Sequence, residues 1–424
     1  MRICSITPHQ LLNNPRIVRE ADALAGAGHD VRVIAVKMRP EQSARDDEEV
    51  RGRPWRAGFV NIERHAGRRA WFITGARQKL ATEAWRRVRR GAYLAGLAYS
   101  RTFLETMRLA TAEPADLIIA HTHPMLAPAY FAARRLGCRW GFDCEDILSE
   151  EYGEGIDDPA HQALVRYVEA TFIPRADYVT VASAEFSRWL TEHYGIGEST
   201  LVSNVPSLAD APASLRPGYP EARRYLSLYW FSISVGPLRG IEDAIRALPL
   251  MHVPVQLHVR GRMLPGFEPE LRALIASLEL RDRVVIHDLI GPRDVIRAAS
   301  EHDIGLVLTQ PCCENHELAV PNKVYAYMMA GTAVGATSTR GHRSAVPAIG
   351  DIGFEYQPGH HVELAEKVNA LVREPGRLHA ARAEAFRLAR TRFNWELERG
   401  RLVERISRLE REPAQPAIRR AVVA

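Results

Sequence analysis

Apolar residues recur along this chain in two alternating rhythms. Short β-branched runs, such as "RICSIT" at residues 2–7 and "VRVIAV" at 31–36, read as buried strands. Between them come stretches with apolar positions three and four apart. In "NNPRIVREADALAGAG", Ile17, Ala21 and Leu24 share one helical face, and the stretch ends on glycine. The alternation continues through "ADLIIAHTH", "MLAPAYFAARRLG", "CRWGFDC", "QALVRYVEATFIPRA", "DYVTVASA" and "STLVSNVP". It pauses at "PSLADAPASLRPGYPEAR" (206–223), a linker signal rich in proline, alanine and serine. It then restarts at "YLSLYWFSIS" and runs to the late helices "HVELAEKVNALVRE" and "GRLHAARAEAFRLARTRF". Strands separated by helices predict parallel sheets with helices on both faces. The expected organisation is a first α/β unit over 1–207, a linker at 208–224, a second unit over 225–395, a helix at 396–411 and a flexible tail at 412–424.

The length of 424 residues suits two cores of this kind. At 46% hydrophobic and 25% charged residues the composition is that of an ordinary soluble protein. No apolar run approaches the roughly 18 residues of a membrane span, and Met1 leads straight into the first strand, so no signal segment is expected. The cysteines (4, 138, 144, 312 and 313) are odd in number and lack CxxC spacing, which points to a reducing cytoplasm and away from disulfides or a zinc site.

The net charge of +5 is spread unevenly. From Arg51 to Phe103 arginines are interleaved with Trp55, Trp71 and Trp85. This segment reads either as amphipathic helices with a solvated arginine face or as a surface for anionic lipid headgroups. No motif for nucleic acid accompanies it.

In open parallel sheets ligands gather beyond the carboxyl ends of the strands. Three turns in the second half carry suitable groups. In "SISVGPLRGIEDAI", Gly236 and Gly240 free the backbone around Arg239, as a diphosphate requires. "LHVRGRMLPG" places Arg262 just after a strand, within reach of the same phosphates. The third is "LAVPNKVYAYMMAG", which holds Lys323, one of only four lysines. Pro321 suits a helix start, and a cation there opposes the helix dipole unless an anion is bound. In the first half His9 and Asn14 follow the first strand, while His121 and His123 end a later one. They read as contacts for a second substrate or as ordinary polar loop residues. His316 lies beside the lysine turn.

"PNKVYAYMMAG" followed by an apolar strand resembles the donor-site signature of the retaining GT-B glycosyltransferases of family 4. "RADYVTVASAEFSRWLTEHYG", "RGIEDAIRAL", "HDIGLVLTQPCCEN" and "RFNWE" are similar to that family in order and spacing. The resemblance implies two Rossmann-like domains with parallel sheets facing an interdomain cleft, and a last helix that crosses back to the first domain. A nucleoside-diphosphate sugar, GDP- or UDP-linked, would be a co-substrate of the second domain, with no cofactor and no metal. Arg239 and Lys323 would stabilise the departing diphosphate. Backbone N–H groups of Glu317, Leu318, Ala319 and Val320, with Asn322 and the side chains of Glu314 and Glu317, would face the sugar. The acceptor would sit chiefly in the first domain.

Two positions depart from the family. Ala326 stands where many relatives have a glutamate read as gripping the ribose. "DCED" replaces the usual Asp-x-His-Glu, so that Glu145 and Asp146 stand at the acceptor side. Glu145 reads as a base or hydroxyl-orienting group there, or as part of an acidic helix start. The expected activity is sugar transfer to a small metabolite, as an O- or S-glycoside, because no apolar anchor stripe is evident. The alternatives are a lipid-linked acceptor at a membrane surface reached through residues 51–103, a nucleotide-sugar epimerase or hydrolase, and a non-catalytic nucleotide-sugar-binding protein.

Overall fold

The computed structural model describes residues 1–151, 158–220, 224–346 and 349–412. Two fully parallel sheets organise them. The first contains β1 (Arg2–Ile6), β2 (Asp30–Lys37), β3 (Arg56–Asn61), β4 (Leu117–His121), β5 (Arg139–Cys144), β6 (Tyr178–Val181) and β7 (Thr200–Leu201), in the order β3-β2-β1-β4-β5-β6-β7. The second contains β8 (Leu226–Val235), β9 (Val255–Met263), β10 (Val284–His287), β11 (Ile304–Val307), β12 (Ala333–Thr337) and β13 (Gly353–Tyr356), in the order β10-β9-β8-β11-β12-β13. Each sheet therefore reverses direction once, at β1/β4 and at β8/β11. At such a switch point adjacent loops diverge and leave a crevice.

The residues that read as strands are buried on both faces because helices cover both. On one side of the first sheet Ile118, Phe142 and Val181 pack with Leu126, Val168, Phe172 and Phe186. On the other, Ile3, Val33 and Ile119 meet Ile17 and Leu24 of the helix Pro15–Gly26. That same side is completed by Trp395, Leu402, Ile406 and Leu409 of the helix Trp395–Arg411. The last helix is fixed there by polar bonds as well. The Trp395 N–H donates to the Pro206 carbonyl at 2.9 Å, and Glu398 accepts from the Ser203 N–H at 2.9 Å.

Two strands had no sequence signal. β3 lies inside the basic segment and β13 directly follows the short helix Ile349–Ile352; both are edge strands, each paired on one side only. Trp55 and Trp85 of the basic segment are buried, and the Trp55 indole donates to Asp22 at 2.8 Å. Of the expected linker and tail, residues 221–223 and 413–424 lie outside the described residues.

Candidate active site

The loops after β8 and β11 flank the second switch point. Gly240 adopts φ +73°, and a Cβ there would sit 2.5 Å from the Leu308 carbonyl oxygen and 2.6 Å from Gln310 Nε2. Glycine is needed on both counts, backbone conformation and space. The close approach draws the Gly236–Gly240 loop, with Arg239, against the loop that leads into the short helix Glu314–Leu318. The helix Asn322–Ala330 starts beside them.

Lys323, on its first turn, stacks 5.3 Å from the ring centroid of Trp230 on β8 and makes no ion pair among the described residues. Burial first, and the nearby charge of Arg239 second, lower its pKa from 10.5 to about 8. Two cations thus converge at the end of the second sheet, and one of them is half-buried without a carboxylate. His342, on the helix Arg340–Ala345 after β12, completes the group. Its Nδ1 lies 2.6 Å from the Thr337 carbonyl, while its buried Nε2 has no hydrogen-bond partner among the described residues. Burial chiefly, with Lys323 contributing, lowers its pKa to about 4, so the ring is neutral. The sequence carried no signal for His342, because its proximity to Lys323 is created by the β12 crossover.

Glu314 and Glu317 are both engaged by Arg340. Glu314 pairs with its guanidinium, and Glu317 accepts from its backbone N–H at 3.0 Å. Arg262 lies opposite Ser234 at the end of β9 with its side chain exposed. Ala326 is buried in the apolar layer with Tyr229 and Tyr327.

The first sheet faces this group across a cleft, and Asn315 spans it. Asn315 Oδ1 accepts from the Ile147 N–H at 2.8 Å, and Nδ2 donates to Asp146 at 3.3 Å. Ser183 Oγ donates to the Leu318 carbonyl at 2.8 Å. Asp146, in contact with Asn315, is lifted to about 6, mainly by burial.

Behind Asp146 is a buried charge cluster. Arg16 donates to both Asp143 oxygens at 2.7 Å and approaches Glu20 at 3.2 Å. His121 lies 3.2 Å from Asp143, and Thr180 donates to Asp143 at 2.7 Å. Burial opposes every charge here, but Arg16 and His121 hold the Asp143 carboxyl well below the usual carboxylate range. The excess carboxylates respond oppositely: burial, then Asp143, raises both Glu20 and Glu145 to about 7. Glu145 makes no hydrogen bond or ion pair among the described residues.

The structure places the other first-domain candidates in supporting positions. His121 has no exposed surface and belongs to the charge cluster. His123 is equally buried, 3.0 Å from Glu169. Asn14 caps the helix Pro15–Gly26 by accepting from the Ile17 N–H at 3.3 Å. His9 is half-buried in the loop after β1.

One expectation about the surface is corrected. The helix Arg68–Val88 does carry an apolar stripe: Phe72, Ile73 and Leu80 are 67%, 58% and 73% exposed. They share a face with exposed Ala76, Arg69 and Arg87. The sequence pattern does not separate the stripe, because Thr74, Ala81 and Trp85 supply the buried face and leave a second apolar set pointing outward.

Residues 14–204 match the glycosyl transferase 4-like domain family. No curated protein matches the chain in sequence. Among solved structures the chain is similar to Anabaena HepE in complex with UDP, at 16% identity and TM-score 0.70, covering 96% of this chain and 100% of that one. It is also similar to sucrose-phosphate synthase from Thermosynechococcus elongatus, at 15% identity and TM-score 0.69, covering 97% and 99%. A third is WaaG, a glycosyltransferase involved in lipopolysaccharide biosynthesis, at 15% identity and TM-score 0.63, covering 96% and 99%. These likenesses extend over both sheets and establish the GT-B fold.

Proposed function

We propose that this chain, which has the GT-B fold and matches the glycosyl transferase 4-like domain over residues 14–204, is a glycosyltransferase that moves a sugar from a nucleoside diphosphate with retention of configuration. The observation that carries this reading is Lys323, half-buried, unpaired with any carboxylate among the described residues and further discouraged by Arg239. A diphosphate between the two cations removes that conflict. As the glycosidic bond breaks, negative charge grows on the departing phosphate, and fixed cations in a water-poor cleft stabilise it most at that moment. His342 Nε2 supplies a neutral hydrogen-bonding group to the same region. On the opposite wall Glu145, lifted toward neutrality, suits a group that orients or deprotonates an acceptor hydroxyl.

The exposed stripe of Phe72, Ile73 and Leu80 beside Arg69, with Arg87 paired to Glu83 at its end, favours an acceptor presented at an anionic membrane surface over a freely diffusing metabolite. No helix among the described residues is long and apolar enough to cross a membrane, so contact would be peripheral.

The first test is thermal stabilisation by UDP, GDP, dTDP, ADP and CMP, followed by product analysis with the matching sugar donor. One nucleoside diphosphate stabilising the protein, and an α-anomer formed from an α-donor, supports the reading. Absence of stabilisation by every nucleotide would refute it. Co-sedimentation with vesicles containing phosphatidylglycerol tests the acceptor surface: Phe72→Asp and Leu80→Asp should each abolish binding that the wild type shows, and a wild type that stays in solution returns the assignment to a small metabolite.

A further inference from the structure

Cys312, Cys313 and His316 lie in the loop between β11 and the helix Glu314–Leu318, and the function proposed above uses neither thiol. Each offers a ligand atom, and the three atoms lie within 4.8 Å of one another. Cys313 is the residue that precedes the helix, extended at φ −150°, so its side chain and that of His316 meet across the first turn. His316 Nδ1 sits 3.2 Å from Cys312 Sγ and 3.2 Å from the Gln310 carbonyl oxygen. The linear spacing Cys-Cys-x-x-His matches no common zinc motif, which is why the sequence pointed away from one; the helical turn assembles the site.

We propose that Cys312, Cys313 and His316 form a binding site for a thiophilic divalent cation such as zinc. Zn–S bonds of about 2.3 Å and Zn–N bonds of about 2.0–2.1 Å in a tetrahedron put ligand atoms about 3.5–3.8 Å apart. The observed spacing brackets those values, so small side-chain rotations suffice. Two thiolates neutralise the ion and the imidazole completes a three-residue set, leaving a fourth position for water or another ligand. Cys313 is 4% exposed while Cys312 and His316 are half-buried, which shields the sulfurs and leaves a route of entry. Binding releases thiol protons and so tightens as pH rises. The site sits at the foot of the helix whose Asn315 spans the cleft to Ile147 and Asp146. An ion there pins that helix start and, with it, the bridge between the two sheets.

The test is titration of the reduced full-length protein with cobalt(II) and then zinc, read by the thiolate-to-cobalt charge-transfer absorption and its displacement. The expected result is one ion per chain with that absorption. Cys312→Ser, Cys313→Ser and His316→Ala should each weaken affinity by at least about tenfold. Cys138→Ser, far from the loop, should leave it unchanged. Absence of the charge-transfer band in the folded wild type overturns the proposal, as does a band that survives both serine variants. Circular dichroism confirms that each variant is folded. The readout needs neither donor nor acceptor, so the site stands or falls apart from the transferase reading.

Discussion

Replacing Lys323 by methionine should make the empty protein more stable and the donor complex weaker, and the two opposite signs arise from one geometry. In the folded chain burial and Arg239 take Lys323 from 10.5 to about 8. At about 1.4 kcal/mol per pKa unit the upper bound on the cost of keeping it charged is roughly 3 kcal/mol. Water reaches the half-buried side chain, so about 1 kcal/mol is the working figure. Methionine keeps the stem that lies over Trp230 and removes the charge, which should raise the melting temperature by about 2–4 °C at pH 7. The sign in pH follows. Between about 8 and 10.5 the unfolded chain holds a proton that the folded one has released, so wild-type stability rises across that window and the advantage of Lys323→Met fades. With the diphosphate bound, the lysine supplies a charge-assisted hydrogen bond of about 1.5–3 kcal/mol, so the variant should bind the nucleotide about 10- to 100-fold more weakly. Differential scanning fluorimetry from pH 7 to 10.5, with and without nucleotide, reads all three effects. A lower melting temperature with unchanged nucleotide affinity would show that Lys323 serves the fold rather than an anion, and the reasoning would fail.

Two further changes test the opposite wall. Glu145 is held near 7 by burial and Asp143, so the folded state keeps a proton that the unfolded state loses between about pH 4.5 and 7. Wild-type stability falls across that interval, and Glu145→Gln should equal the wild type at pH 4.5 and exceed it by about 1–2 kcal/mol at pH 8 in urea denaturation. A constant difference at both pH values would contradict this. Arg16→Met leaves Asp143 charged and buried and should cost about 3–5 kcal/mol in the same assay. Adding Asp143→Asn should recover part of that loss, and no recovery would mean that packing rather than charge sets the cost.

The α/β alternation was legible because each buried strand and each half-buried helix imposes its own period, and two such runs around a proline-rich break gave two α/β units; the GT-B arrangement came only with the family resemblance of "PNKVYAYMMAG". The edge strands β3 and β13 were not: β3 lies in an arginine-rich segment that hides its period, and β13 is only four residues long. Lys323 stood out by rarity and by its unfavourable place on a helix. His342 and Asn315 did not, because their meaning lies in neighbours far along the chain: Lys323 in one case, Ile147 and Asp146 in the other. His121 and His123 looked like cleft residues from their place at a strand end. Here both rings are covered.

The helix Trp395–Arg411 sets the order in which this protein can be completed on the ribosome. One face of the first sheet lacks Trp395, Leu402, Ile406 and Leu409 until the helix Trp395–Arg411 has been made. The strands through Leu201 emerge long before them, and at about 5–20 residues per second the missing helix follows roughly 10–40 s later. The second unit gains its last core residues, Ala385 and Ala389 of the helix Arg377–Thr391, only just before Trp395 is made, so throughout that interval the first waits with an apolar face uncovered. The first domain is therefore the last to close, and a chain truncated before Trp395 should resemble that waiting state.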